Sequence, residues 1–382
     1  MLRRVSLSEL EPGHVIAATY EVVQRLDRGD ESPVYAVKHL PSGTARALKL
    51  LPSELLEGGI ERLRREASIG GSIQSRRIVA VEDTGVEGDA PWITMELLVG
   101  HDLGALLAQR SSGLPEARTI LVGIGEALRD AHRAGVCHGD LRPELVFLET
   151  HGQRAVKVLG FGVSRRLAEA VVRSPGLASS PTPRWLWGAP ERAATGAALD
   201  PRADVWTYGL IAYRVVTGAL YWRGEGAAAV LRELLEGRLP PASERAAESG
   251  ASTLLPSRFE AWFARCVARD PGARFADGGE ALEALVTAFG PVPSINIPPI
   301  RGNPKGSLYD AGLRDFGTPD HEATDADGQA GYRGAGRQGR GSAEGSSHDR
   351  LSSSWWKGRR LIGGAILVVV ALVALALLVS RR

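Results

Sequence analysis

Cysteine is nearly absent from this chain of 382 residues. Cys137 and Cys266 are the only two. They give no zinc spacing and no disulfide framework, and they read as two buried thiols of a reducing compartment. Net charge is equally scarce: 46 Lys and Arg against 44 Asp and Glu leave +2, which points to no nucleic-acid and no acidic partner. The first ten residues, Met1 to Leu10, are charged and lack an apolar run, so no secretory signal is expected. What remains is ordinary. A hydrophobic content of 44% and a charged content of 24% fit a globular protein, and the length holds one large domain or two modest ones.

The single long apolar run lies at the other end. Leu361 to Val379 carries no charge and no proline, and about 20 such residues span roughly 30 Å of hydrocarbon as a helix. Trp355 and Trp356 precede it at the level of interfacial aromatics, and Lys357, Arg359 and Arg360 flank it. These flanks argue for a transmembrane anchor over residues 361–380 rather than a buried core helix. The basic cluster on its N-terminal side places residues 1–360 in the cytoplasm, as a single-pass protein of the cell membrane. Gly363 and Gly364 do not form a G-x-x-x-G pairing pattern. Residues 290–360 are rich in Gly, Pro, Ser, Asp and Arg, a composition that cannot offset its ordering entropy and reads as a flexible linker. About 70 disordered residues would hold the domain roughly 45 Å from the membrane.

Residues 1–18 read as a lead, and 19–289 as the folded domain. Strand patterns occupy Tyr20–Leu26, Val34–His39, Ala45–Leu51, Ile78–Glu82 and Trp92–Leu97, with a helix over Ile60–Ile73. From Pro115 the texture is helical, and Ile120, Leu121, Ile124, Ala127, Leu128 and Ala131 line one face with a 3.6-residue period. A small β-rich part (19–97) followed by a larger helical part (98–289) is an α+β arrangement in two lobes.

Motifs follow in order. Ala47-Leu48-Lys49 ends a strand; Glu66 stands in Arg-Arg-Glu-Ala on the next helix; Met95, Glu96 and Leu98 close the small lobe. His138-Gly139-Asp140-Leu141-Arg142-Pro143-Glu144-Leu145, Gly188-Ala189-Pro190-Glu191, Asp204 in Ala-Asp-Val-Trp and Arg274 in Asp-Pro-Gly-Ala-Arg come later. Together they resemble the eukaryotic-like serine/threonine protein kinases of bacteria, over roughly residues 20–288. The resemblance implies a two-lobed kinase fold, with Lys49 on the nucleotide's phosphates and paired to Glu66. It implies Met95 as gatekeeper, Glu96 as first hinge residue and Leu98 offering backbone groups to an adenine. Leu26, Gly29, Val34 and Ala47 would complete the nucleotide pocket. His138 is implied as a packed scaffold histidine. Asp140 occupies the place of the base that accepts the substrate hydroxyl proton; a carboxylate kept only to hold the loop backbone is the alternative. Asp204, Glu191 and Arg274 are implied as structural, Arg274 pairing with Glu191.

The departures from the family pattern are chemical. The phosphate-covering loop, Leu26 to Val34, keeps only Gly29 and the valine and places Asp27, Asp30 and Glu31 beside a polyanion. Leu145 replaces an asparagine that ligates magnesium, Arg142 a lysine, and Gly139 an arginine that contacts a phosphorylated activation segment. Gly160, in Leu-Gly-Phe-Gly, replaces the acidic metal ligand. Leucine and glycine offer no side-chain oxygen, and losing ~3–5 kcal/mol of metal stabilisation slows phosphotransfer by roughly 10²–10⁴-fold. Ser174, Ser179, Ser180 and Thr182 remain open to phosphorylation. Thr182-Pro183-Arg184-Trp185-Leu186-Trp187 does not align with the family's Gly-Thr-x-x-Tyr segment, and its tryptophans are expected to pack on the helical lobe rather than form a docking face.

Three functions are weighed. The first is a membrane-tethered pseudokinase that binds ATP, has no protein ligands for Mg²⁺, and acts as scaffold or allosteric partner of an active kinase or its substrates. The second is a weakly active serine/threonine kinase using Lys49, Glu66 and Asp140. The third is a tethered interaction module that binds no nucleotide.

Overall fold

A computed structural model describes residues 10–26, 32–56, 60–150, 155–162, 184–193, 199–224, 227–235, 238–251 and 255–290. All of them belong to the first of two compact units, residues 1–317. Gly29 and its acidic neighbours, Ser174 to Thr182, the linker and the apolar run at 361–379 lie outside the described residues. Among those described, no helix is long and apolar enough to cross a membrane.

The small lobe is a six-stranded antiparallel sheet in the order β1-β2-β3-β4-β6-β5. Its strands are β1 (Val15–Ile16), β2 (Tyr20–Arg25), β3 (Val34–His39), β4 (Ala45–Leu50), β5 (Val81–Glu87) and β6 (Ala90–Glu96), with helix α1 (Ile60–Gly71) between β4 and β5. Period-two alternation gives the sheet two apolar faces. Leu48, Leu50 and Trp92 join Tyr20, Val22, Tyr35 and Val37 on one face. Ala47, Ile93 and Met95 join Leu63 and Ala67 of α1 on the other. Lys49 shares the parity of Ala47, so the pleat directs it to the α1 side.

Two expectations change here. β1 lies inside the expected lead and adds a strand to the sheet, with Ile16 buried. The strand expected over Ile78–Glu82 begins at Val81, because the chain just before it is held elsewhere: Val79 N donates to Val158 O at 2.9 Å and Val158 N to Arg77 O at 2.7 Å.

The large lobe contains β7 (Gly100–Asp102), α2 (Leu103–Gln109), α3 (Leu114–Arg133), β8 (Val146–Glu149), β9 (Val156–Val158), α4 (Pro201–Thr217), α5 (Ala227–Leu235), α6 (Ala242–Glu248), α7 (Phe259–Cys266) and α8 (Gly278–Phe289). Every residue of the expected α3 stripe, from Ile120 to Ala131, is buried. α4 is buried almost all round, the mark of a central helix. It starts on the Asp200 cap, whose side chain accepts from Arg202 N, and stops at Gly218 in the left-handed region. β7, β8 and β9 form a small antiparallel sheet beneath the cleft; strands this short carry too little periodicity to be read in advance.

Candidate active site

The nucleotide side of the cleft is built by strand register. Ala47 sits opposite Met95 and Lys49 opposite Ile93 across β4 and β6, and Val34 of β3 sits opposite Lys49. Ala47, Met95 and Leu98 are buried in one cluster with Phe147 of β8, and Val34 packs against it. Phe147 comes from the large lobe and was not singled out in sequence. Its neighbours Val146 and Leu148 face the large-lobe core, so alternation along Val-Phe-Leu sends Phe147 the other way, into the cluster with Ala47, Met95 and Leu98. Leu26 is buried too. Glu96 accepts from Lys157 Nζ at 2.5 Å, which ties the hinge to β9. Glu66 accepts from Arg62 Nε at 3.2 Å, one turn earlier on α1.

The catalytic loop hangs on Asp204 of α4. This buried carboxylate accepts from His138 N at 2.7 Å, Gly139 N at 2.8 Å and His132 Nε2 at 3.0 Å. Burial opposes its ionisation, but the hydrogen bond from His132 and the Gly139 N–H hold its carboxyl below the usual range. Gly139 itself turns the loop with φ +74°, a region a side chain enters only with strain. His138 is the expected scaffold residue. Its Nε2–H donates to Leu159 O at 2.9 Å, its Nδ1 accepts from Asp140 N at 3.3 Å, and its ring meets Phe161 edge-on at 4.6 Å.

Burial pushes the pKa of His138 down, and likewise that of His101. A histidine depressed in the fold binds fewer protons than in the unfolded chain, so its contribution is full above the unfolded pKa and falls as pH drops below about 6.5. Denaturant melts at pH 7.5 and 5.5 should show a loss of up to about 1.4 kcal/mol per pH unit from each histidine. His138→Gln should flatten the slope.

Among the described residues, the Asp140 carboxylate accepts from a side chain and from no backbone N–H. Its Oδ2 accepts from Arg184 Nη1 at 2.9 Å, and Arg142 Nε stands at 3.7 Å from the same oxygen. Burial raises its carboxyl, while Arg184, Arg142, His138 and Lys49 act in the opposite sense. Lys49 therefore reaches this part of the cleft electrostatically. No motif marked Arg184: it lies 44 positions from Asp140, in the segment where the resemblance expects a threonine. Trp187 and Leu186 beside it are buried in the large-lobe core and Trp185 packs against that core, which bears out the expected packing of the tryptophans.

The magnesium positions are equally plain. Gly160 takes φ +97° and Leu145 is buried, its carbonyl accepting from Leu159 N at 2.8 Å. Neither side chain offers an oxygen. The neighbouring carboxylates are engaged, Asp140 by Arg184 and Glu144 by Arg142 at 3.5 Å. Among the described residues, this donor set does not fit a magnesium ion, which wants several oxygens near octahedral geometry.

A second cluster also fails as a metal centre. His132, Cys137 and Asp204 bring three ligand-type atoms within 4.8 Å. Yet Gly278 N donates to His132 Nδ1 at 2.9 Å, which puts the ring proton on Nε2, facing Asp204 rather than a metal. Cys137 is only half-buried, unlike the expected buried thiol. Its thiol is pushed up to about 12, chiefly by burial, so it stays protonated where zinc needs a thiolate.

Arg274 completes the large lobe. It pairs with both oxygens of Glu191, at 2.7 and 2.8 Å, and lies over the Trp206 ring at 4.9 Å.

This arrangement, a strand-borne lysine, a hinge and a carboxylate-anchored loop between two lobes, is that of a protein kinase. The protein kinase domain pattern matches residues 20–286. Serine/threonine-protein kinase PknL of Mycobacterium tuberculosis is 32% identical over 295 residues, covering 76% of this chain and 71% of PknL. Pkn1 of Myxococcus xanthus, also a serine/threonine-protein kinase, is 31% identical over 72% of this chain and 39% of Pkn1. The crystal structure of the M. tuberculosis PknI kinase domain matches with a TM-score of 0.57 at 24% identity, over 73% of this chain and 100% of that domain, a likeness of fold. The chain belongs to the bacterial serine/threonine protein kinase family, whose members generally use ATP and Mg²⁺.

Proposed function

We propose that this chain is a pseudokinase tethered to the cell membrane by residues 361–380, with its kinase-like domain in the cytoplasm. One observation carries the reading: the side chains at 145 and 160, where the resemblance places the metal ligands, offer no oxygen. The engagement of Asp140 by Arg184 supports it. In this reading ATP lies between Val34, Ala47, Met95 and Leu98 above and Phe147 below, with Lys49 toward its phosphates and no metal bound. Its output is a contact with an active kinase or that kinase's substrates. The persistence of Lys49 within electrostatic reach of Asp140 favours the second reading, a weakly active serine/threonine kinase.

A thermal-shift titration of the full chain separates nucleotide binding from metal binding. ATP in EDTA should raise the melting temperature, and added Mg²⁺ should not increase the rise. A shift that requires Mg²⁺ would contradict the metal-free reading. No shift at millimolar ATP would leave only the module without nucleotide.

A further inference from the structure

Two guanidinium groups converge on Asp140 from the large lobe. Arg184 Nη1 donates to Oδ2 at 2.9 Å, whereas Arg142 Nε faces the same oxygen from 3.7 Å, too far for a hydrogen bond. Arg142 is nine-tenths buried. Its contact with Glu144 is stretched to 3.5 Å, and its Nε has no hydrogen-bond partner among the described residues. A buried donor left over is costly, and an acceptor with more oxygens than one carboxylate would satisfy it. The charged residues that act most strongly on Asp140 are all cationic, namely Arg184, Arg142 and Lys49, and positions 145 and 160 supply no acid. The pocket therefore has the sign of an anion site, and Asp140 is its resident anion. Arginine in place of lysine at 142 sharpens the point, because a planar fork grips phosphate oxygens in pairs while an ammonium acts as a point charge.

We infer that Arg142 and Arg184 form a binding site for the phosphate of a phosphorylated serine or threonine side chain on a protein partner. The inference rests on the pseudokinase reading, since a working kinase would have to release that group from this place. A side chain fits better than a nucleotide phosphate because both arginines belong to the large lobe. Arg184 is held there by its neighbours: Trp222 Nε1 donates to Leu186 O at 2.8 Å and Thr207 Oγ1 to Trp187 O at 2.9 Å. When the phosphate arrives, Arg184 exchanges Asp140 for a phosphate oxygen. The Asp140 carboxyl, already raised by burial, takes one proton from solvent, so two anions do not face each other.

Fluorescence anisotropy with the full chain in mild detergent tests this. The probes are a short labelled peptide with a central phosphoserine and its unphosphorylated twin. The phosphopeptide should bind at least about tenfold more tightly. Arg184→Thr should remove most of that preference, and Arg142→Lys, which keeps the charge but not the fork, should remove part of it. Thermal melts confirm that each variant folds, and either variant alone suffices. Equal affinity for the two peptides, or an undiminished preference in both variants, would overturn the site. Displacement by inorganic phosphate at the concentration at which unlabelled phosphopeptide displaces would reduce it to an adventitious ion only and overturn the partner. Loss of metal-free ATP binding in Arg184→Thr with phosphopeptide binding intact would assign the arginine to the nucleotide and overturn it too. Transfer of radiolabel from ATP to the unphosphorylated twin would instead overturn the pseudokinase reading.

Discussion

Gly162→Ala should lower the melting temperature by about 5–15 °C and loosen α1 from the segment beneath it. Gly162 has φ +85°, and a Cβ there would lie 2.1 Å from Glu66 O and 3.2 Å from Gly70 N. The approach is mutual: a Cβ on Gly70 would lie 2.4 Å from Phe161 O. Helix α1 thus rests backbone to backbone on Phe161-Gly162, with no side chain between. The left-handed conformation costs an alanine roughly 1–2 kcal/mol, and forcing a methyl between two main chains adds about 1–3 kcal/mol. Gly13 separates the two terms. Its φ is +86° and nothing lies within 4 Å of its would-be Cβ, so Gly13→Ala reports the conformational part alone. Equal thermal shifts in the two variants would show that α1 does not rest on Gly162. The contact also has a functional side, since the carbonyl it touches belongs to Glu66, the residue that the family resemblance pairs with Lys49. Nucleotide binding should weaken together with stability.

Arg274→Ala should cost ~3–5 kcal/mol and leave a domain that melts roughly 10 °C lower or fails to accumulate. The Arg274 side chain is fully buried. Its guanidinium donates to Glu191 twice, to Ala268 O at 2.7 Å, to Arg202 O at 2.9 Å and to Arg269 O at 3.3 Å. Alanine would remove all five of these hydrogen bonds at once, and would uncover one side of Trp206. Arg274→Lys keeps the charge but reaches fewer of these acceptors, so its loss should be smaller yet still measurable by thermal melt. A melt unchanged within a degree or so for the alanine variant would refute the role assigned to this pair.

Much of this site was legible because it depends on local pattern. Period-two alternation placed Ala47 and Lys49 on one face of β4, and the 3.6-residue period of Ile120 to Ala131 gave the buried face of α3. Motif spacing gave Asp204, Glu191 and Arg274, which the structure brings into the anchoring contacts expected of them. What stayed hidden depends on chain segments far apart in sequence. Arg184 reaches Asp140 through the course of a segment whose residues match no pattern. Phe147 joins Ala47 and Met95 only once β8 lies beneath β4 and β6. Gly70 and Gly162 look like unrelated glycines until two main chains meet. β1 escaped notice because two residues are too few to show a period, and its Ile16 is recognisable as core only beside Tyr20 and Tyr35.

The central claim is that a kinase fold here has lost the oxygen ligands its reaction needs. The direct measurement is phosphotransfer from radiolabelled ATP with Mg²⁺, comparing the full chain, Asp140→Asn and the double replacement Leu145→Asn with Gly160→Asp. Gly160 has a positive φ of +97°, which an aspartate tolerates better than most residues. The chain and Asp140→Asn should be indistinguishable, and only the double replacement should acquire Mg²⁺-stimulated binding of ATP. Autophosphorylation by the unaltered chain that disappears in Asp140→Asn would contradict the account.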